Sequence, residues 1–370
     1  MDAVRPPDGY NPNIHGLRGF AALWVFLAHV YLGAATAGFY PEHWHALVAW
    51  LMDSGRYSVD LFFMISGYLI TESLIRKSHV GEFLADRAIR VYPAFLAAML
   101  PLAVMGMLTQ ARMFGDTTPQ QWPLMLLANV LLLPGVVDMP PILGVAWTLS
   151  FEAAFYLTAA GAFVLIRRGH RELAIGLCAA AGLLTFPQYS GVVSFHVGAV
   201  VYLYRDSMMH LLRNFHAPLL TLIAFIALWG LFNERHWKLD TSMTPLFAAI
   251  GILCFVLQLV LFRSIVAGAG LFCIILRSRL CQFMGTISYS FYLWHTPVMY
   301  FTKRWVATNI VPDYGAAAGV FAFAALSLPP AVLVGYCAYV LFEREAGRRL
   351  HRLYRRLRGP RVDGQTAMGH

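Results

Sequence analysis

The sequence predicts an all-α, polytopic integral membrane protein of about ten transmembrane helices around a central polar cavity, with both termini cytoplasmic. Three observations predict it. Of 370 residues, 59% are hydrophobic and 13% charged, where a soluble domain is nearer half apolar and a quarter charged. Mean hydropathy is +0.60, and runs near twenty apolar residues recur along the chain, so the solvent is mostly lipid. Basic clusters, finally, alternate with these runs in a way that sets topology.

Taken in order, the apolar segments fall near 16–36, 46–70, 92–110, 144–166, 172–187, 191–204, 217–232, 244–262, 283–301 and 315–342. Shorter pieces lie at 123–137 and 264–276. Arg76, Lys77, Arg87 and Arg90 mark one cytoplasmic loop. Arg167, Arg168 and Arg171 mark the next, then Arg205 and Arg213, then Arg277 and Arg279. The 123–137 piece then starts and ends outside, short and leading into PGVVDMPPILG, as a re-entrant or interfacial segment does. The 264–276 piece lies at the inner interface, and NERHWKLDTS is an outward loop.

Net charge is +9, concentrated in the tail EREAGRRLHRLYRRLRGPR. In a soluble protein such a tail suggests nucleic acid. After so many spans it is expected to be a juxtamembrane tail that meets anionic membrane lipids, with no nucleic-acid partner. The division expected is therefore a transmembrane domain over 1–342 and a basic cytoplasmic tail over 343–370. No small-residue cleavage site follows the first apolar run, so a removable leader is not expected. The five cysteines are odd in number and mostly within apolar runs, reading as core residues rather than a disulfide framework.

Polar residues inside these spans carry the chemistry. In GLRGFAALWVFLAHV, Arg18 and His29 are eleven residues apart, close to three turns, so they share one helix face about 16 Å apart. Arg18 alone is equally a snorkelling anchor. An imidazole at mid-bilayer depth faces a protein interior or wet cavity, and defaults to a functional reading over a structural one. SVDLFFMISGYLI carries Asp60, an acid that needs a partner or a wet cavity, and the small pair Ser66 and Gly67, which helix packing alone explains.

In the loop DRAIRVYP, Arg87 and Arg90 are three apart, so one helical turn presents both guanidiniums together, as a phosphate-bearing ligand requires. Simple topology signalling is the competing reading. Tyr92-Pro93 opens the third span, with proline at a helix start where its missing N–H is harmless. AWTLSFEAAFY puts Thr148 and Glu152 on one face, beside Trp147 and Ser150. A carboxylate at that depth is costly unless paired, protonated or solvated. GTISYSFYLWHTPV carries Ser288, Tyr292 and His295 as a polar stripe, which interhelical hydrogen bonding also explains. Two classes of protein need such a cavity: an enzyme moving a group between a cytoplasmic donor and an outer acceptor, or a proton-coupled transporter of a small or glycosylated metabolite. A glycan-binding or assembly subunit is a third. No chelating spacing supports a metal.

Over residues 10 to 345 the chain resembles the membrane-bound acyltransferase-3 family, whose best-known members O-acetylate cell-surface polysaccharides. The opening stretch is similar to the family's Arg-ten-His block. VDLFFMISGYLI, RAIRVYP, WTLSFEAAFY and ISYSFYLWHTPV resemble four further blocks, in order. The resemblance implies ten spans, acyl-CoA (acetyl-CoA first) as donor substrate with no permanently bound cofactor, and an acceptor presented from outside, usually a sugar hydroxyl. It makes Arg18 and His29 the essential pair, sets Arg87 and Arg90 in the donor-side loop, and sets Glu152 in the acceptor-side block.

On that basis His29 is the general base or a transient acyl carrier. Arg18, Arg87 and Arg90 anchor donor phosphates, with Ser66 and Gly67 beside them. Glu152 and Trp147 receive the acceptor, in a cavity lined by Asp60, Ser150, Tyr292 and His295. Relatives usually carry a triple arginine cluster where DRAIRVYP has two. Many also carry an extracytoplasmic hydrolase-like domain of the SGNH type, so this chain is expected to act alone or with a separate extracytoplasmic partner protein.

Overall fold

A computed structural model of the chain describes residues 10–41, 44, 46–77, 79–110, 114–207, 218–235, 245–268 and 270–358. Arg213, most of NERHWKLDTS and the tail beyond Arg358 lie outside the described residues. Helices make up the architecture, and one isolated bridge, Pro134 with Val137, is the only β pairing among the described residues. In chain order they are α1 (Pro12–Thr36), α2 (Ala46–Asp53), α3 (Ser58–Lys77), α4 (Val80–Thr109), α5 (Trp122–Val130), α6 (Trp147–Arg167) and α7 (Arg171–Thr185). There follow α8 (Val193–Leu203), α9 (Pro218–Arg235), α10 (Pro245–Ala267), α11 (Leu271–Leu276), α12 (Arg279–Asn309), α13 (Val311–Ala338) and α14 (Gly347–Arg358). A π-helical segment, Tyr339–Ala346, joins the last two.

Among the described residues, five helical stretches are long and apolar enough to cross a membrane: Pro12–Thr36, Val48–Lys77, Val80–Thr109, Gly144–Arg167 and Val311–Leu357. Ser190–Leu203, Pro218–Leu228 and Gly251–Ala267 are apolar but shorter. At 31 residues α12 is long enough to span, but it carries the Ser288, Tyr292 and His295 stripe and is the less apolar for it. It packs along both α1 and α13, while α3 packs on α8 and α6 on α7.

Two features place the site. Asn11 caps α1, its side chain accepting from the backbone N–H groups of Asn13 and Ile14, and so sets where the Arg18 and His29 face begins. α1 then lies directly on α12, because a Cβ at Gly19 would stand 2.0 Å from the carbonyl oxygen of Cys281. Only a residue without a side chain permits that approach.

One sequence expectation is corrected. DRAIRVYP is not a loop opening onto a span at Tyr92; it lies within α4, and Pro93 is inside the helix. The helix begins twelve residues before Tyr92 because Phe83 is fully buried there, edge-on to Tyr156 at 6.1 Å. Burial of that ring outweighs the hydrogen bond that Pro93 removes. Arg87 and Arg90 are thereby held on rigid helix.

Candidate active site

Two adjoining cavities hold the polar residues of the spans. Arg18, Ser66, Arg87, Arg90 and Glu152 line the first, brought together from α1, α3, α4 and α6. Glu152 is its organising acceptor: Ser66 Oγ donates to Oε1 at 2.8 Å, and the Tyr156 hydroxyl donates to the same oxygen at 2.6 Å. The Arg87 guanidinium lies over the rings of Phe83 and Tyr156, at 5.5 and 5.9 Å, and its Nε is buried without a hydrogen-bond partner among the described residues. Arg18 enters no ion pair among the described residues. Glu343 and Glu152 attract its guanidinium and Arg90 repels it. Three guanidiniums facing so little fixed negative charge make the cavity suited to an anion.

His29, Arg56, Tyr57, Trp147 and Tyr189 line the second cavity. His29 Nδ1 lies 2.9 Å from the Val25 carbonyl oxygen and 3.4 Å from His295 Nε2. The two imidazoles meet edge to face, 4.9 Å between centroids at 79°. Below them His295 Nδ1 lies 3.2 Å from the Phe291 carbonyl oxygen, and its ring stacks on Phe291. Trp147 and Tyr189 form an aromatic corner, 5.1 Å apart at 74°. Val59 and Tyr292 line both cavities and form the wall between them.

Thr148 and Glu152, four apart, both line the arginine cavity, whereas the pair expected to receive the acceptor is divided. Glu152 opens into the arginine cavity with Ser66, while Trp147, five residues earlier, lines the histidine cavity. Ser150 is buried, its hydroxyl donating to the Pro134 carbonyl, and so braces the loop ahead of α6. Asp60 is fully buried behind the aromatic corner, its Oδ1 accepting from the Tyr189 hydroxyl at 2.9 Å. Gly67 faces α8, where its Cβ would stand 2.0 Å from the Phe195 carbonyl oxygen, so helix packing occupies it.

Four site residues had no signal strong enough to single them out. Tyr156 sits four after Glu152, a spacing that was open to reading. Tyr189 and Arg56 lie in short connecting segments with no periodicity to mark them. Glu343 opens the arginine-rich tail and reads there as one acid among cations. In the fold its Oε1 accepts from the Ser290 backbone N–H at 3.0 Å and from Ser290 Oγ at 2.5 Å.

The family model described as an acyltransferase domain, acyltransferase-3, matches residues 11–340. The chain is 27% identical over 318 residues to the exopolysaccharide production protein ExoZ of Rhizobium meliloti (strain 1021), covering 80% of this chain and 90% of that protein. It is 29% identical over 192 residues to Nodulation protein 10 of Rhizobium leguminosarum bv. viciae, 47% of this chain and 50% of that one. It is 30% identical over 162 residues to acyltransferase MdmB of Streptomyces mycarofaciens, 42% and 40% of the two chains. The matched region thus spans about half of the nodulation protein and nine tenths of ExoZ. No solved structure matches.

Proposed function

The chain belongs to the acyltransferase-3 family and is a membrane acyltransferase, and from that premise we propose that it moves an acetyl group from cytoplasmic acetyl-CoA to a carbohydrate hydroxyl presented on the other side of a bacterial inner membrane. The observation that carries the reading is the pair of adjoining cavities, arginines in one and His29 in the other, with Tyr292 and Val59 between. A CoA thioester is a polyphosphate joined to a long neutral arm, which matches that division. Exopolysaccharide production, in the name of the ExoZ relative, supports a sugar acceptor.

In this mechanism Arg18, Arg87 and Arg90 hold the donor phosphates, and the unmet Nε of Arg87 has a natural partner there. Glu152 keeps the guanidiniums apart and oriented before the donor arrives. The thioester arm passes Tyr292 to reach His29. The sugar ring lies against Trp147 and Tyr189. His29 Nε2 takes the hydroxyl proton while the hydroxyl oxygen bonds to the acyl carbon. The carbon–sulfur bond then breaks, and the proton passes from Nε2 to the departing thiolate, giving free CoA. A separate extracytoplasmic protein is a proposed partner for presenting the acceptor.

Purified protein in lipid nanodiscs, given labelled acetyl-CoA and an oligosaccharide, should transfer label, and His29→Ala should abolish transfer without loss of folded protein. Normal transfer by that variant removes His29 from the chemistry. No CoA-dependent transfer by the wild type, with proton-coupled uptake in vesicles, establishes transport instead.

A further inference from the structure

We propose that His295 is the positioning residue of the reaction: it accepts the Nδ1–H of His29, so aiming the free Nε2 at the acceptor, and it stabilises the cation that His29 becomes. The inference rests on the acyl-transfer reading and deepens it.

The argument starts from what a carbonyl oxygen can do. It accepts hydrogen bonds and never donates. His29 Nδ1 is 2.9 Å from the Val25 carbonyl oxygen, so Nδ1 carries the hydrogen and Nε2 carries the lone pair. His295 Nδ1 is 3.2 Å from the Phe291 carbonyl oxygen, so the same assignment follows for that ring. The lone pair on His295 Nε2 then faces that same Nδ1–H across 3.4 Å, so the hydrogen is shared in a three-centre bond between the nearer Val25 carbonyl oxygen and His295 Nε2. Each carbonyl belongs to the residue four before its histidine, so two helices set their own tautomers and the pair fits in one sense only. Turning either ring to its other tautomer sets a lone pair against a carbonyl oxygen.

Packing alone does not ask for this. His295 is fully buried and stacks on Phe291 at 5.6 Å with 13° between ring planes, a position that a second phenylalanine would fill. What phenylalanine lacks is the acceptor nitrogen, and that nitrogen faces His29, which lines the cavity.

The consequence appears once Nε2 is occupied. When it takes the acceptor's proton, or bonds to the acyl carbon, the His29 ring is cationic and its Nδ1–H becomes a charged donor. Hydrogen bonds from charged donors are shorter and stronger, and more so where water is excluded. His295 gains no proton in the cycle; the proton leaves through Nε2 to the thiolate as before. Its contribution is therefore confined to the reacting state, where it accelerates the step rather than tightening substrate binding.

Four proteins test this in nanodiscs: wild type, His295→Gln, His295→Leu and His295→Phe. Glutamine reaches the place of Nε2 with an amide oxygen that accepts, whereas leucine and phenylalanine fill the volume without an acceptor. For the apolar variant that retains the wild-type melting temperature, kcat should fall about 100-fold, at the low end of the range for acid–base catalysis. KM for acetyl-CoA and for the oligosaccharide should stay within about twofold, and His295→Gln should recover at least tenfold of the loss. A folded apolar variant with wild-type kcat overturns the proposal. So does an equal loss in the glutamine and apolar variants, which would make shape the requirement, or a loss carried by KM. Absence of transfer by the wild type overturns the acyl-transfer reading and this inference with it, an outcome distinct from active wild type with active apolar variants.

Discussion

The hydroxyl oxygen of Tyr292 lies 3.0 Å from Thr148 Oγ1 and donates to the Val145 carbonyl oxygen at 3.1 Å, pinning α12 to the start of α6. That tie holds the phenol ring where both cavities end. The residue between donor and base is thus fixed by its tip as well as by its backbone, and removing the ring differs from removing the hydroxyl.

Tyr292→Phe keeps the wall and loses two hydrogen bonds, at about 0.5–1.5 kcal/mol each. Transfer should persist within about threefold. Tyr292→Ala opens the wall to water, and acetyl-CoA should then be hydrolysed without acceptor. Thiol release measured with and without oligosaccharide separates the two, and an alanine variant that stays fully acceptor-dependent refutes the role.

Arg87→Ala and Arg90→Ala each remove a charged donor from the arginine cavity. At about 1.5–3 kcal/mol per charge-assisted contact, KM for acetyl-CoA should rise about 10- to 100-fold with kcat little changed. With S-acetyl-pantetheine, which lacks the nucleotide phosphates, the same variants should match wild type. An equal penalty on both donors would show that the arginines act on the fold.

Glu152→Gln leaves three guanidiniums facing one another and weakens the bonds from Ser66 and Tyr156. The donor-free variant should lose about 2 kcal/mol of stability, a drop of a few degrees in Tm. Saturating CoA should restore more to the variant than to wild type, since its phosphates replace the missing charge. Thermal melts with and without CoA check it, and an unchanged Tm counts against the organising role.

Gly67→Ala and Gly198→Ala test the α3 and α8 contact. Each new methyl would sit within 2.0 Å of a carbonyl oxygen, of Phe195 and Met64 respectively. Separating these helices should cost about 1–3 kcal/mol and lower the yield of monodisperse protein in size-exclusion chromatography. Wild-type yield from both would mean that the contact yields easily.

How much was legible follows from where each signal resides. Helical pitch put Arg18 and His29 on one face, and both do line cavities, the arginine in one and the imidazole in the other. Thr148 and Glu152, which the same pitch put on one face, both line the arginine cavity, while Trp147, expected to receive the acceptor with Glu152, lies beyond the wall at Tyr292. Pitch orders residues within a helix and is silent on which neighbour each face meets. His295 was expected on a cavity wall and is fully buried, its Nε2 turned to His29. Pro93 signalled a helix start, and the burial of Phe83 moved that start back by thirteen residues. Glu343 was hidden by its neighbours, since charge counted over a tail conceals a single carboxylate that turns inward to Ser290.

The helix α12 carries Ser288 in the arginine cavity, Ser290 under the carboxylate of Glu343, Tyr292 in the dividing wall and His295 behind the base. These four side chains ride on one rod about 46 Å long. A slip of a single residue would turn that rod by about 100° and shift it about 1.5 Å, unlatching Tyr292 from Thr148 and His295 from His29 in the same movement. α12 is therefore the camshaft of the molecule: the timing of wall and base is machined into one part, and Glu343 is the key that keeps it from turning.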